Sequence, residues 1–255
     1  MTYGCIDRST KTGCCSGTVH VSTDITRIES NAFSGCSDLK EVIIATTVKY
    51  IDQQAFQSTG LVEVEIPTSV TSLGSYVFQY CENLQRAVIP TSVSYIAYQM
   101  FGNCYNLKSV SLPSSIQYIE FDAFQSTGLK SVFIPSSVTR IEDYAFQNTQ
   151  LRNVTLPSTM RDIGYQAFYG CSSLESIVIQ SSSITQMSYT SFGGSTCSTS
   201  SHVVYLPAPN LYSGQFDSCT VMVMAPTQGA MSAPQHICIL TYIHAHNQNP
   251  PNFPY

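Results

Sequence analysis

The 255-residue chain is 43% hydrophobic but only 11% charged, well below the usual quarter, so Ser, Thr, Asn, Gln and Tyr must supply most of its polar surface. A formal net charge of −5 gives no electrostatic reason to expect nucleic-acid or anionic-membrane binding. No stretch approaches eighteen consecutive apolar residues, so neither a transmembrane helix nor membrane insertion is expected.

Residues 1–18 are rich in Gly, Ser and Thr and hold Cys5, Cys14 and Cys15. The start, Met1-Thr2-Tyr3-Gly4-Cys5, has no basic segment followed by an apolar run and does not read as a signal peptide. Ten cysteines in a weakly charged chain point the other way, to an oxidising setting. The expected localisation is extracellular or cell-surface. A cytoplasmic location is the alternative, favoured by the missing signal.

From residue 19 a repeat takes over. Its most visible letter is a phenylalanine at Phe33, Phe56, Phe78, Phe101, Phe124, Phe146, Phe168 and Phe192, in steps of 23, 22, 23, 23, 22, 22 and 24. A fixed period in this range means a solenoid, in which each unit stacks only on its neighbours. Within one unit, Leu107, Val110 and Leu112 recur as Leu129/Val132/Ile134 and Leu151/Val154/Leu156. The Val-x-Leu part has a period of two and predicts a short strand with those side chains inward. Pro67, Pro90, Pro113, Pro135 and Pro157 end the strands, since proline cannot donate a ladder bond. A second apolar pair follows (Val138 and Ile141), and then Ala-Phe drives a ring into the core from the opposite wall. Stacked at about 4.8 Å, eight to nine rungs would make a curved rod roughly 40–45 Å long, with a parallel sheet on one face and short turns or helical turns on the other.

Two turns lead into the strand. After Phe33, Phe78, Phe101 and Phe168 the chain reads x-x-Cys-x-x-Leu; after Phe56, Phe124 and Phe146 it reads Gln-Ser/Asn-Thr-x-Leu, one residue shorter. Cys36, Cys81, Cys104 and Cys171 are expected inside the core, each thiol hydrogen-bonded weakly to backbone. The pattern Leu-x-x-Val-x-Ile-Pro-x-Ser-Val-x-x-Ile-x-x-x-Ala-Phe-x-x-Cys resembles the BspA-like (Treponema pallidum type) leucine-rich repeats over about residues 19–206. That resemblance implies a leucine-rich-repeat solenoid, β-rich within the α/β class, and a role in adhesion or protein binding. It brings no catalytic residues.

The ends depart from the pattern. Because a solenoid needs a lid, residues 1–18 are expected to form an N-terminal cysteine-containing cap. Gly193 to Ser201 reads as an inserted loop, and Val204-Tyr205-Leu206-Pro207 restores a strand. Residues 207–246 are expected to hold a degenerate last repeat (Phe216, Cys219) and a C-terminal cap with a strand at Ile237–Ala245. Residues 247–255 contain three prolines and read as an extended tail.

No constellation for catalysis stands out. There is no Cys-x-x-Cys, no phosphate loop and no nucleophile elbow, and His20, His202, His236, His244 and His246 do not cluster with acids at zinc spacing. Neither enzyme activity, metal nor cofactor is expected. Cys5, Cys14, Cys15, Cys197, Cys219 and Cys238 lie outside the regular rungs and are the disulfide candidates, with pairing undetermined. Asn153-Val154-Thr155 matches a glycosylation acceptor but lies in a predicted strand, poor context for that modification.

The outward columns of the sheet carry the functional expectation. One runs Glu41, Glu63, Arg86, Ser109, Ser131, Asn153, Ser176; the other runs Ile43, Glu65, Val88, Ser111, Phe133, Thr155, Val178. Exposed apolar side chains in such a column point to an interaction surface. The expected function is a non-enzymatic binding or adhesion protein that recognises a protein or glycan through this face. Ile43, Glu63, Glu65, Arg86, Val88, Phe133 and Val178 are its candidate contacts. The alternative is a structural subunit packed against neighbouring subunits of a larger surface or organelle assembly.

Overall fold

The computed structural model describes residues 15–188, 190–194, 203–207 and 220–224, the last two segments as backbone only. These residues wind into a solenoid of parallel strands without a helix. Seventeen strands are numbered in chain order. The longer ones form the broad face: β1 (Ser16–His20), β3 (Asp38–Ile43), β5 (Glu63–Glu65), β7 (Arg86–Val88), β9 (Ser109–Ser111), β12 (Asn153–Leu156), β14 (Ser176–Ile179), β16 (Val203–Pro207) and β17 (Thr220–Met224). Two-residue strands build a second parallel face after the proline turn: β2 (Arg27–Ile28), β4 (Tyr50–Ile51), β6 (Ser72–Leu73), β8 (Tyr95–Ile96), β10 (Tyr118–Ile119), β11 (Arg140–Ile141), β13 (Asp162–Ile163) and β15 (Gln186–Met187). The sequence predicts one sheet face; the second is too short to leave an alternation signal. Strand β17 also lies beyond the predicted pattern. The strand expected at Ile237–Ala245 falls outside the described residues.

The phenylalanines form a continuous column. From Phe33 to Phe192 each ring lies parallel to the next, with centroids 5.1–5.6 Å apart. The wall holding them uses turns, not helical turns. From Phe33 to Phe168 the residues two before and two after each phenylalanine have positive φ, as at Gln99 (48°) and Asn103 (61°); at Phe192 only the following one, Gly194, does. Alternating handedness sends every second N–H towards the following rung. Gln99, Phe101 and Asn103 donate to the carbonyls of Phe121, Ala123 and Gln125 at 3.0, 2.9 and 2.8 Å. These bonds hold Tyr and Gln residues in a backbone conformation that disfavours them by about 1 kcal/mol or more each. Hydroxyls add a further tie, as when Ser137 donates to the carbonyl of Ile116 at 2.6 Å.

The cysteine position is occupied in every rung from Cys36 to Cys171. In the shorter turns Thr59, Thr127 and Thr149 take it. Cys81, Cys104 and Cys171 are buried and donate to the carbonyls of Phe56, Phe78 and Phe146 at 3.1, 3.0 and 3.2 Å, as expected. Thr59 and Thr127 bond the carbonyls of Phe56 and Phe124 at 2.9 and 3.0 Å, and Thr149 meets the Cys171 thiol at 3.1 Å. Burial pushes the Cys81 and Cys171 thiols up to about 11 and raises Cys104 well above the ordinary thiol range. Cys36 is a correction: it is buried, but it forms a disulfide with Cys15. Strand β1 lies beside β3, so the chain just before β1 is held next to the turn that carries Cys36. The candidates Cys5, Cys14, Cys197, Cys219 and Cys238 lie outside the described residues.

Candidate functional site

The short turns also decide where the broad face is interrupted. It comprises three separate sheets, β1-β3, β5-β7-β9 and β12-β14-β16-β17. Every strand entered by the longer turn and lying between two described strands pairs with the strand before it, with Arg86 opposite Glu63 and Ser109 opposite Arg86. The three rungs entered by the shorter turn (after Phe56, Phe124 and Phe146) do not form a ladder with the rung before them. One missing residue pulls the strand out of step, leaving single bonds such as Arg152 N–H to the Lys130 carbonyl at 3.1 Å. Where a short turn follows a long one, the chain must pass close under the extra residue. A Cβ on Gly128 would collide with the Tyr105 carbonyl, and one on Gly60 with the Ser37 carbonyl; after two successive short turns the same position holds Gln150, which is exposed.

One rung has a short turn on both sides. Residues 131–134, predicted as a strand, are irregular, and their backbone makes no backbone hydrogen bond among the described residues. This corrects the expected strand and opens a seam in the face. Phe133 projects from it, 78% exposed, over a cleft of about 550 Å³. Ser109, Ser131, Asn153, Thr155 and Gln180 line the cleft alongside it.

The predicted contact residues are spread, not gathered. Glu63 and Arg86 are cross-strand partners joined by an exposed ion pair of 3.5 Å. Ile43, Glu65 and Phe133 are exposed, while Val88 and Val178 are half-buried. Polar Glu65, Ser111 and Thr155 separate the apolar members of that column, and of the predicted contacts only Phe133 lines the cleft. Sequence reasoning missed a third column one residue nearer the start of each strand: Lys40, Val62, Gln85, Lys108, Lys130, Arg152 and Glu175, all exposed. It was visible at the same 22–23 residue spacing, but the strict alternation of a strand assigns that position to neither face.

A second hollow, about 240 Å³, lies between Val19, Ile25, Ile28 and Phe33. It is the N-terminal mouth of the core, where a cap is expected. Among the described residues, no group of three or more His, Cys, Asp or Glu side chains could hold a metal ion, and no helix is long and apolar enough to cross a membrane.

The model of the BspA type leucine-rich repeat region matches residues 6–130 and 118–221, with six copies. A leucine-rich repeat protein from Bacteroides ovatus shares 24% identity at a TM-score of 0.61, covering 82% of this chain and 60% of its own. A leucine-rich cell surface protein from Faecalibacterium prausnitzii shares 24% identity at a TM-score of 0.50, covering 83% and 60%. The chain thus spans about 60% of the length of both. No curated protein matches the chain. Leucine-rich repeat proteins are scaffolds that generally bind other proteins and are generally not enzymes. With the stacked rungs and the repeat model agreeing over most of its length, the chain belongs to the BspA-type leucine-rich repeat family.

Proposed function

We propose that the protein is a non-enzymatic binding or adhesion module that works at the cell surface or outside the cell, and that it grips a protein or glycan partner through its broad sheet face. The observation that carries this reading is Phe133. A phenylalanine 78% exposed on an interrupted rung contributes little to the fold and offers a partner a large apolar anchor. Ile43, Glu63, Glu65, Arg86, Val88 and Val178 are the flanking contacts of an elongated footprint.

The test is a panel of immobilised glycoproteins and glycans probed with native protein and with Phe133→Asp. The variant should lose at least tenfold in affinity for whatever the native protein retains, with an unchanged melting curve. Full retention of binding by the variant would remove the sheet face as the site.

A structural subunit of an assembly is the second reading. Tyr50, Tyr95 and Tyr118 favour it, since all three stand exposed in one column of the short-strand face. Light scattering of a clean monomer at high protein concentration would dismiss it.

A further inference from the structure

We infer that the seam around residues 131–134 is a subsite for an acidic saccharide, one bearing carboxylate or sulfate groups; this rests on the sheet-face reading above and names its ligand class. The first observation is charge. Lys108, Lys130 and Arg152 occupy the same position in three successive rungs, spanning about 10 Å at the usual strand spacing. None of them belongs to an ion pair among the described residues, whose four charge contacts involve Arg27, Arg86 and Arg140. The strand segments 107–112, 129–134 and 151–156 contain no acidic residue, although the whole chain carries −5. Glu175, one rung further on, ends the cationic run.

The second observation is the chemistry beside those cations. The cleft presents the hydroxyls of Ser109, Ser131 and Thr155 and the amides of Asn153 and Gln180, all uncharged. Phe133 stands over them. A pyranose ring can lay its C–H face on the aromatic face, whose quadrupole is negative. Its hydroxyls then meet neutral donors and acceptors, and its acid group reaches Lys130 or Arg152. Each unusual feature of the seam thereby has a counterpart in one ligand. An extended peptide fits less well. The interval between β9 and β12 is two strand spacings, about 10 Å, and is already filled by residues 131–134, so no strand can add there.

The test measures affinity of the full chain for a heparin-derived hexasaccharide (sulfated), a hyaluronan hexasaccharide (carboxylated), maltohexaose (neutral) and a hexaglutamate peptide, each at several salt concentrations. At least one acidic saccharide should bind tenfold or more tightly than both maltohexaose and hexaglutamate. The double variant Lys130→Ser/Arg152→Gln should lose at least tenfold and show a flatter salt dependence. Phe133→Ser should lose about tenfold, or 1.4 kcal/mol, with the salt dependence retained. Melting curves of both variants should match the native one. Three results would overturn the inference: acidic and neutral sugars binding alike, hexaglutamate binding as well as the sugars, or Phe133→Ser binding as native, which would reduce the seam to an unspecific cationic strip. If the wider panel yields a partner lost in Phe133→Asp while no acidic saccharide binds, the inference fails and the sheet-face reading stands.

Discussion

Phe124→Ala tests whether the ring column is what couples the rungs. Phe124 is fully buried, with its ring centroid 5.4 Å from Phe101 and 5.2 Å from Phe146. Truncating a buried phenylalanine costs about 3–5 kcal/mol in transfer and cavity energy. Two ring–ring contacts, at about 0.5–1.5 kcal/mol each, place this site at the upper end, near 5 kcal/mol. Phe33 has one ring neighbour among the described residues, Phe56 at 5.1 Å, and lines the hollow at the N-terminal end of the described core. Phe33→Ala should therefore cost less, about 3 kcal/mol. Urea unfolding followed by far-ultraviolet circular dichroism gives both values. The internal variant should also show a lower m-value or a second transition, because it weakens two rung interfaces in the middle of a one-dimensional array. Equal costs for the two variants, or less than about 2 kcal/mol at Phe124, would refute stacking as the coupling term.

Other expectations follow from buried and charged groups. The thiols of Cys81, Cys104 and Cys171 should resist alkylation in native protein up to about pH 10 and react at once in urea, as read by mass spectrometry. The raised values of Cys81 and Cys171 make their stabilising contribution complete below pH 9, the ordinary thiol value, and lost as pH rises towards 11, so melting temperature should fall across that window; Cys104, also raised by burial, acts in the same direction. Reducing Cys15–Cys36, which spans 21 residues, should cost about 3 kcal/mol by the loop-entropy relation, and Cys15→Ser should reproduce the shift without reductant. Asp122 has φ 54° and a carboxyl held above its ordinary value, first by burial and then by Asp143, with the Gln99 hydrogen bond opposing the rise. Protonation is thus favoured in the folded state, and stability from this group is full below pH 3.8 and declines as pH rises through the raised value. Asp122→Asn should raise the melting temperature at pH 7 and remove that decline.

The repeat made most of the fold legible, because apolar positions at a constant period leave a solenoid as the economical solution. The short turns were legible as letters but not as consequences. Losing one residue between Phe124 and Leu129 was visible; that it would also break the ladder on the broad face required knowing how the turn sets the strand's starting point. The replacement of Cys by Thr127 went unread because the two side chains share only a small size and the ability to bond a carbonyl. Cys36 shares its motif with Cys81, and only the proximity of β1 to β3 distinguishes its pairing with Cys15. The candidate site was half legible. Phe133 announced itself as a large apolar residue in an outward column. Lys108, Lys130 and Arg152 did not, because a turn residue leading into a strand has no assigned face until the backbone is placed.

The phenylalanine wall has a consequence for how such chains lengthen. In that wall donors aim forward and acceptors aim back, as at Gln99, Phe101 and Asn103, so peptide dipoles add along it and its two ends are chemically unlike. Each winding is a plug at one side and a socket at the other. Duplicating or deleting a whole winding in the interior leaves all plugs matched to sockets, whereas inserting a fragment of one does not. Growth of this architecture by unequal exchange of complete units is therefore compatible with the bonding of that wall.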